Sequence, residues 1–187
     1  MIKSLNFKLL HGEFQISEGT EFSITSKNAD HLVYENKGVW HIESDPCAGK
    51  IGSTIITIPS GYVFDNIQII LDRAILSICK INTTNIGLEL RNSTAETDGL
   101  TAKYLSIRTA RGDIRTNADV SITDIDCGYG TIDLHFKPYT FGYNIHSTCG
   151  MGNVTHNSKT LPKKYASASG ERKINIICGM GTVNFYT

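Results

Sequence analysis

Apolar and polar residues alternate at period two along most of this chain, through "FQISEGTEFSIT", "STIITI", "NIQIIL", "AILSICKI", "NIGLEL", "KYLSIRT", "ADVSIT", "GTIDLHF", "YNIHST" and "KINIIC". That period puts successive side chains on opposite faces of a strand, and apolar spacing at the helical period is almost absent. The chain is therefore expected to be all-β. Gly, Asn, Asp and Ser fill the gaps, as turns between short strands require.

Alternation alone leaves sandwich, barrel and solenoid open, and internal repetition separates them. Aligned on one glycine, "LSIRTARGDIRT" from Leu105, "TDIDCGYGTIDL" from Thr123, "IHSTCGMGNVTH" from Ile145 and "INIICGMGTVNF" from Ile174 superpose without a gap. Ile114, Ile132, Val154 and Val183 share one column. Thr109, Cys127, Cys149 and Cys178 share a second, and Ile107, Ile125, Ser147 and Ile176 a third. The copies are spaced by 18, 22 and 29 residues, a length that suits one coil of a solenoid, with the surplus in outward loops. The expected fold is a parallel β-solenoid, single-stranded and right-handed β-helix-like, with additional N-terminal strands. As domains, this gives a single unit over 1–187, in which residues 1–59 cover one end and residues 60–187 form the coils.

Three stretches, "GEFQISEGTEFSI", "IPSGYVFDNIQIIL" and "KINIICGMGTVNF", resemble the "bacterial putative adhesin" family, a group of β-solenoid domains often found in Gram-positive bacteria. The resemblance covers most of the chain and rests on fold motifs, Gly-x-Gly-x-(Ile/Val) at strand turns. It implies an adhesin-like role at a surface and brings no catalytic residues.

Composition adds limits. Among 187 residues, 18 basic residues balance 18 acidic ones, so no overall charge draws the chain to nucleic acid or to an anionic membrane. No apolar run approaches the ~18 residues of a membrane span, and the first residues lack a leader's apolar run and cleavage site. The chain as given is expected in the cytoplasm, and at the cell surface only if it is trimmed or exported by another route. Five cysteines without secretory context fit reduced thiols.

The candidate residues carry bland readings beside sharp ones. Cys127, Cys149 and Cys178 fall on the inward phase of their strands and are expected to stack ~4.8 Å apart. A line of sulfurs does not converge as tetrahedral zinc requires, and Thr109 in the same column points to core filling. Gly130, Gly152 and Gly181 precede strands rather than helices, so they mark tight corners and not phosphate cradles. Five aspartates between Asp113 and Asp133 raise a polysaccharide-acting β-helix, which needs carboxylates and Arg or Lys converging in one groove; Arg115 and Asp133 are expected to pair on adjacent coils. Tyr139, Phe141 and Tyr143 share one side and could stack on sugar rings or pack against the coils. Lys159, Lys163 and Lys164 lie in the longest insertion, "HNSKTLPKKYASASGERK", expected to protrude as a mobile basic loop.

The function expected from these features is non-catalytic. A β-solenoid presents a surface to a protein or glycan, with Tyr139, Phe141, Tyr143, Lys159, Lys163 and Lys164 as the candidate surface. No cofactor, metal, nucleic acid or membrane span is expected. The alternatives are the polysaccharide-acting enzyme and an intracellular self-assembly module. The latter follows from the last repeat ending the stack with an open strand edge, through which a homo-oligomer would form.

Overall fold

Alternation sustained from Ile81 to Cys127 gives one uninterrupted strand of 47 residues, which would run about 150 Å if straight. It turns instead at tight corners and winds through successive layers. The computed structural model describes residues 1–27, 30–44, 52–167 and 169–187. Its strands are β1 (Ser4–Gly19), β2 (Ser23–Lys27), β3 (His31–Asn36), β4 (Val39–Ser44), β5 (Gly52–Pro59), β6 (Val63–Ile78) and β7 (Ile81–Cys127). Then follow β8 (Thr131–Phe136), β9 (Tyr143–Cys149), β10 (Asn153–His156), β11 (Lys159–Thr160), β12 (Lys164–Ala166), β13 (Arg172–Cys178) and β14 (Thr182–Tyr186). The chain is an all-β parallel solenoid, and its described residues contain no helix long and apolar enough to cross a membrane.

Each layer is two arms joined at a corner. His11, Arg73 and Asn92 all adopt φ near +50° and occupy one corner position on adjacent layers. The second arm of one layer ends at Ile78 and the next layer begins at Ile81. Three residues reach about 10 Å at most, so the arms fold back to face one another. Inward side chains fill the space between them, in one buried cluster that runs from Leu5 to Phe185.

The parallel register starts earlier than the sequence pattern indicated. Residues of β1 from Ser4 onward pair in parallel with β6 on one side and with β4 and β5 on the other. The segment 1–59 therefore contributes layers of the stack itself, because Phe7, Leu9, Phe14 and Ile16 point inward like every later layer.

The order of the layers differs from their order in the chain. Pairing runs from β4 and β5 to β1, then β6, then through β7 to β8. Next comes the layer formed by β13 and β14, and only then the layer formed by β9 and β10. Both the first and the last strands of the described chain are thus inserted one layer inside an end. The outermost layers are covered by antiparallel strands, β3 on β4 and β2 on β5 at one end, β11 on β10 and β12 on β9 at the other.

Two of these covers form through the same device. Lys37 and Gly38 join β3 to β4, Asn157 and Ser158 join β10 to β11, and all four residues have positive φ. Two consecutive positive-φ residues make the type I′ turn whose twist suits a two-residue hairpin. Folding a strand back over the outer edge gives its exposed amides and carbonyls partners.

This order corrects the expectation of an open edge at the last repeat. β14 pairs with β8 on one side and with β10 on the other, so the last strand is an interior one. The open strand edge on which self-association through the last repeat was expected is therefore taken up within the chain. Among the described residues, the longest strand paired on one side only is β3, with Leu32, Val33 and Tyr34 exposed.

Candidate functional site

The repeat columns stack as internal ladders. Cys178 registers with Cys127 on one side and with Cys149 on the other, and all three are buried. Cys178, the last of them in the chain, is the middle one in space. Its thiol donates to the Gly181 carbonyl at 3.2 Å. Glycine at the corner makes room for the sulfurs: a Cβ on Gly181 would lie 2.6 Å from Cys127 Sγ, and one on Gly152 would lie 2.9 Å from Cys178 Sγ. Cys79 and these three are free thiols, and Cys47 lies outside the described residues.

Burial is the main reason the Cys178 thiol is pushed up from 9.0 to about 12, with the neighbouring Cys149 acting in the same direction. The native state holds this proton where the unfolded chain releases it, so stability present below pH ~9 is lost as pH rises towards 12. Wild type is expected to lose about 1–3 kcal/mol more than Cys178→Ser between pH 9 and 11, since one proton contributes at most about 1.4 kcal/mol per pH unit. Urea midpoints at stepped pH read the difference. Parallel slopes for the two proteins would show that the Cys178 thiol ionises alike in the folded and unfolded states, so that burial does not shift it.

The expected aromatic surface is only partly exposed. Tyr143 is buried, with its hydroxyl donating to the Lys137 carbonyl at 2.7 Å. Tyr139 packs edge-to-face on both Phe141 and Tyr143, donates to Glu171 Oε2 at 2.8 Å and carries the Arg172 guanidinium 4.1 Å above its ring. Phe141, at 65% exposure, is the one open ring of the three. Arg172 also pairs with Asp119 at 2.7 Å, and Lys137 reaches the same carboxylate at 3.5 Å. A groove of about 410 Å³ runs beside this network, lined by Lys80, Asp98, Asp119, His135 and Lys137.

The lysines do not form the expected mobile loop. Lys159 lies in β11 and Lys164 in β12, both within the cover over the outer layer. Lys163 donates to the Gly152 carbonyl at 2.6 Å. The insertion is held because the outer layer needs edge partners, and its charges are spread along two arms instead of gathered in one patch.

The five aspartates separate as well. Asp113 accepts from the Thr131 amide at 2.7 Å, Asp119 holds Arg172, and Asp124 accepts from Tyr104 and from Asn175. Asp133 accepts from Asn184 at 2.6 Å; Arg115 is its register neighbour, yet the amide rather than the guanidinium takes its oxygen. Asp126 faces a groove of about 350 Å³, shared with Glu89, Arg91 and Arg108. Arg91 is held there by Glu89 at 2.5 Å.

Single-sequence reading missed the polar ladders on the outer faces. Asn85 donates to Asn66 at 2.8 Å. Tyr104 and Asn175 converge on Asp124, and that hydrogen bond pushes the Tyr104 phenol up, keeping it protonated. On the other arm, Thr155 donates to Asn184, which donates to Asp133, and His135 stacks on Tyr186 at 4.5 Å. The signal lay in the 19-residue step from Asn66 to Asn85 to Tyr104, which the four-copy alignment did not reach.

The family model described as Toastrack DUF4097 matches residues 4–176. Among solved structures, one described as a putative cell adhesion protein from Clostridium sporogenes ATCC 15579 shares 14% identity at a TM-score of 0.52, covering 99% of this chain and 92% of that one. Another, described as a putative adhesin from Bacteroides fragilis NCTC 9343, shares 9% identity at a TM-score of 0.40, covering 99% and 91%. No curated protein matches the chain.

Proposed function

Because the chain belongs to the Toastrack DUF4097 family, we propose that it is a non-catalytic, adhesin-like binding protein that offers its outer strand faces to a protein or glycan at the bacterial envelope. The observation that carries this reading is the set of cross-layer side-chain ladders. Tyr104, Asp124 and Asn175 come from three different layers and fix one another by hydrogen bonds. Polar groups held in place before a ligand arrives lose little conformational entropy on binding. The name of the Clostridium structure supports the adhesin-like part.

Labelled protein incubated with cells and isolated envelopes of the native organism tests the reading. Saturable binding that weakens in Asn175→Ala is the expected outcome. Retention no greater than that of an unrelated β-protein on every fraction would defeat it. The polysaccharide-acting reading keeps one specific observation, the groove in which Asp126 and Glu89 meet Arg91 and Arg108. Chain shortening of uronate-containing polysaccharides by wild type, abolished in Asp126→Asn, would replace the binding reading with that one.

A further inference from the structure

The two ends of the stack are finished differently. At one end the covering strands are β11, with two residues, and β12, with three, and Lys159, Pro162 and Lys164 stand in or between them. Short strands, lysine and proline are the devices that keep an exposed edge from pairing with another chain. At the other end β2 exposes Thr25, Ser26 and Lys27, whereas β3 runs for six residues, His31–Asn36, with Leu32, Val33 and Tyr34 exposed. β3 pairs with β4 on one side, and on its other side no strand covers it among the described residues. Its position is fixed from within: the Gly38 carbonyl accepts from the Lys3 and Ser4 amides, and Tyr34 stacks on His41 at 4.5 Å.

The hairpin decides which backbone groups this edge offers. Across the two-residue turn Lys37–Gly38, Asn36 and Val39 form a hydrogen-bonded pair, and alternation gives Tyr34 and Leu32 the same role. The N–H and C=O groups of His31, Val33 and Glu35 therefore point out of the edge. Two such strands bond antiparallel only with odd positions facing odd ones. When the pairing is centred on Val33, His31 of each copy falls opposite Glu35 of the other, and every outward N–H and C=O of these three residues finds a partner. The His31 ring is engaged by Thr54 at 2.7 Å and contributes only its backbone.

We infer that β3 is the surface through which two copies of this chain join, edge to edge and antiparallel, about a two-fold axis at Val33. That register puts Leu32 of each copy opposite Tyr34 of the other, a non-hydrogen-bonded pair whose Cα atoms come within ~4.5 Å. Aliphatic and aromatic side chains so placed stabilise a strand pair. A slip of two residues either way sets Leu32 against Asn36 or Tyr34 against Asp30. Charge selects the same direction. Asp30 and Lys37, both exposed, flank the two ends of β3; antiparallel pairing brings each Asp30 beside Lys37 of the other copy, and parallel pairing would bring like charges together. The second copy continues the stack end to end, with its strands at the same ~4.8 Å spacing. This edge is separate from the outer strand faces that the binding reading above offers to a ligand, so either can hold without the other.

The test is sedimentation velocity from about 1 μM to 1 mM, the range in which a small interface associates, on wild type, Val33→Lys, Val33→Glu and Leu32→Ser. Wild type should pass from monomer to dimer across this range and go no further, because a two-fold pair closes. Val33 is 41% exposed, so both of its variants should keep the wild-type circular dichroism. Each should dimerise at least about tenfold more weakly, since like charges then face one another at the axis. An equimolar mixture of Val33→Lys and Val33→Glu should recover association, which requires a register with position 33 facing itself. Leu32→Ser, at a position 62% exposed, removes the apolar pairs and leaves the axis untouched, and should weaken association by about threefold to tenfold. Wild type that stays monomeric throughout, growth beyond the dimer, association unchanged in Val33→Lys, or a mixture that stays monomeric would each overturn the proposal.

Discussion

A chain ended after Gly170 is expected to lose its cooperative fold, although it gives up only the last 17 of its 187 residues. The removed segment contains β13 and β14, which form an interior layer. Ile174, Ile176, Cys178, Val183 and Phe185 are each at most 2% exposed. At ~1.5–3 kcal/mol for each large side chain, their removal costs about 7–15 kcal/mol, comparable with the whole net stability of a domain. Two neighbouring layers also lose the partners of their strands. Urea unfolding followed by circular dichroism reads the outcome, and adding the peptide 171–187 in trans should restore the strand signal. A truncated protein that still unfolds cooperatively near the wild-type midpoint would mean that the 143–156 layer docks directly onto 120–136, and that the inserted order is not needed.

Gly130→Ala should destabilise by about 3 kcal/mol or more, lowering Tm by roughly 6–12 °C for a chain of this size. Two causes act together. Gly130 has φ of +105°, and a Cβ there would stand 1.9 Å from the Gly112 carbonyl oxygen, a backbone atom with no freedom to move aside. Gly61→Ala is the matched comparison, with φ of +71° and nothing within 4 Å of its Cβ, so it should show only the left-handed cost of about 1–2 kcal/mol. Differential scanning calorimetry on the pair separates them. Equal losses at the two positions would show that corner packing contributes nothing beyond φ.

Much of the interior is legible in the sequence. The column Ile114, Ile132, Val183 and Val154 is realised as register pairs, as is the cysteine column. Strand alternation and equivalent corner glycines fix which residues face inward in each copy, whatever lies next to it. Outer-face chemistry was less legible. Tyr139, Phe141 and Tyr143 share a side as alternation requires, yet Tyr143 is buried because β9 begins there and its hydroxyl closes onto Lys137. Composition could not reveal this, since the partner comes from the connection between layers. Lys159, Lys163 and Lys164 looked like one basic patch because they are near in sequence, whereas antiparallel pairing draws them to different arms.

By itself, the sequence determined the all-β class, the repeating unit and the identity of the inward residues, since each depends on periodicity within one copy. The order in which the copies stack belongs to the tertiary structure. Layers lined by Ile, Val and Cys present nearly identical parallel edges, so alignment shows that they are equivalent and not which one touches which. The edges decide it. Only the 143–156 layer is followed by the Asn157–Ser158 turn that folds β11 over its outer strand, so that layer takes the outside. The final residues, Arg172 to Tyr186, fill the place left between it and the layer ending at Phe136.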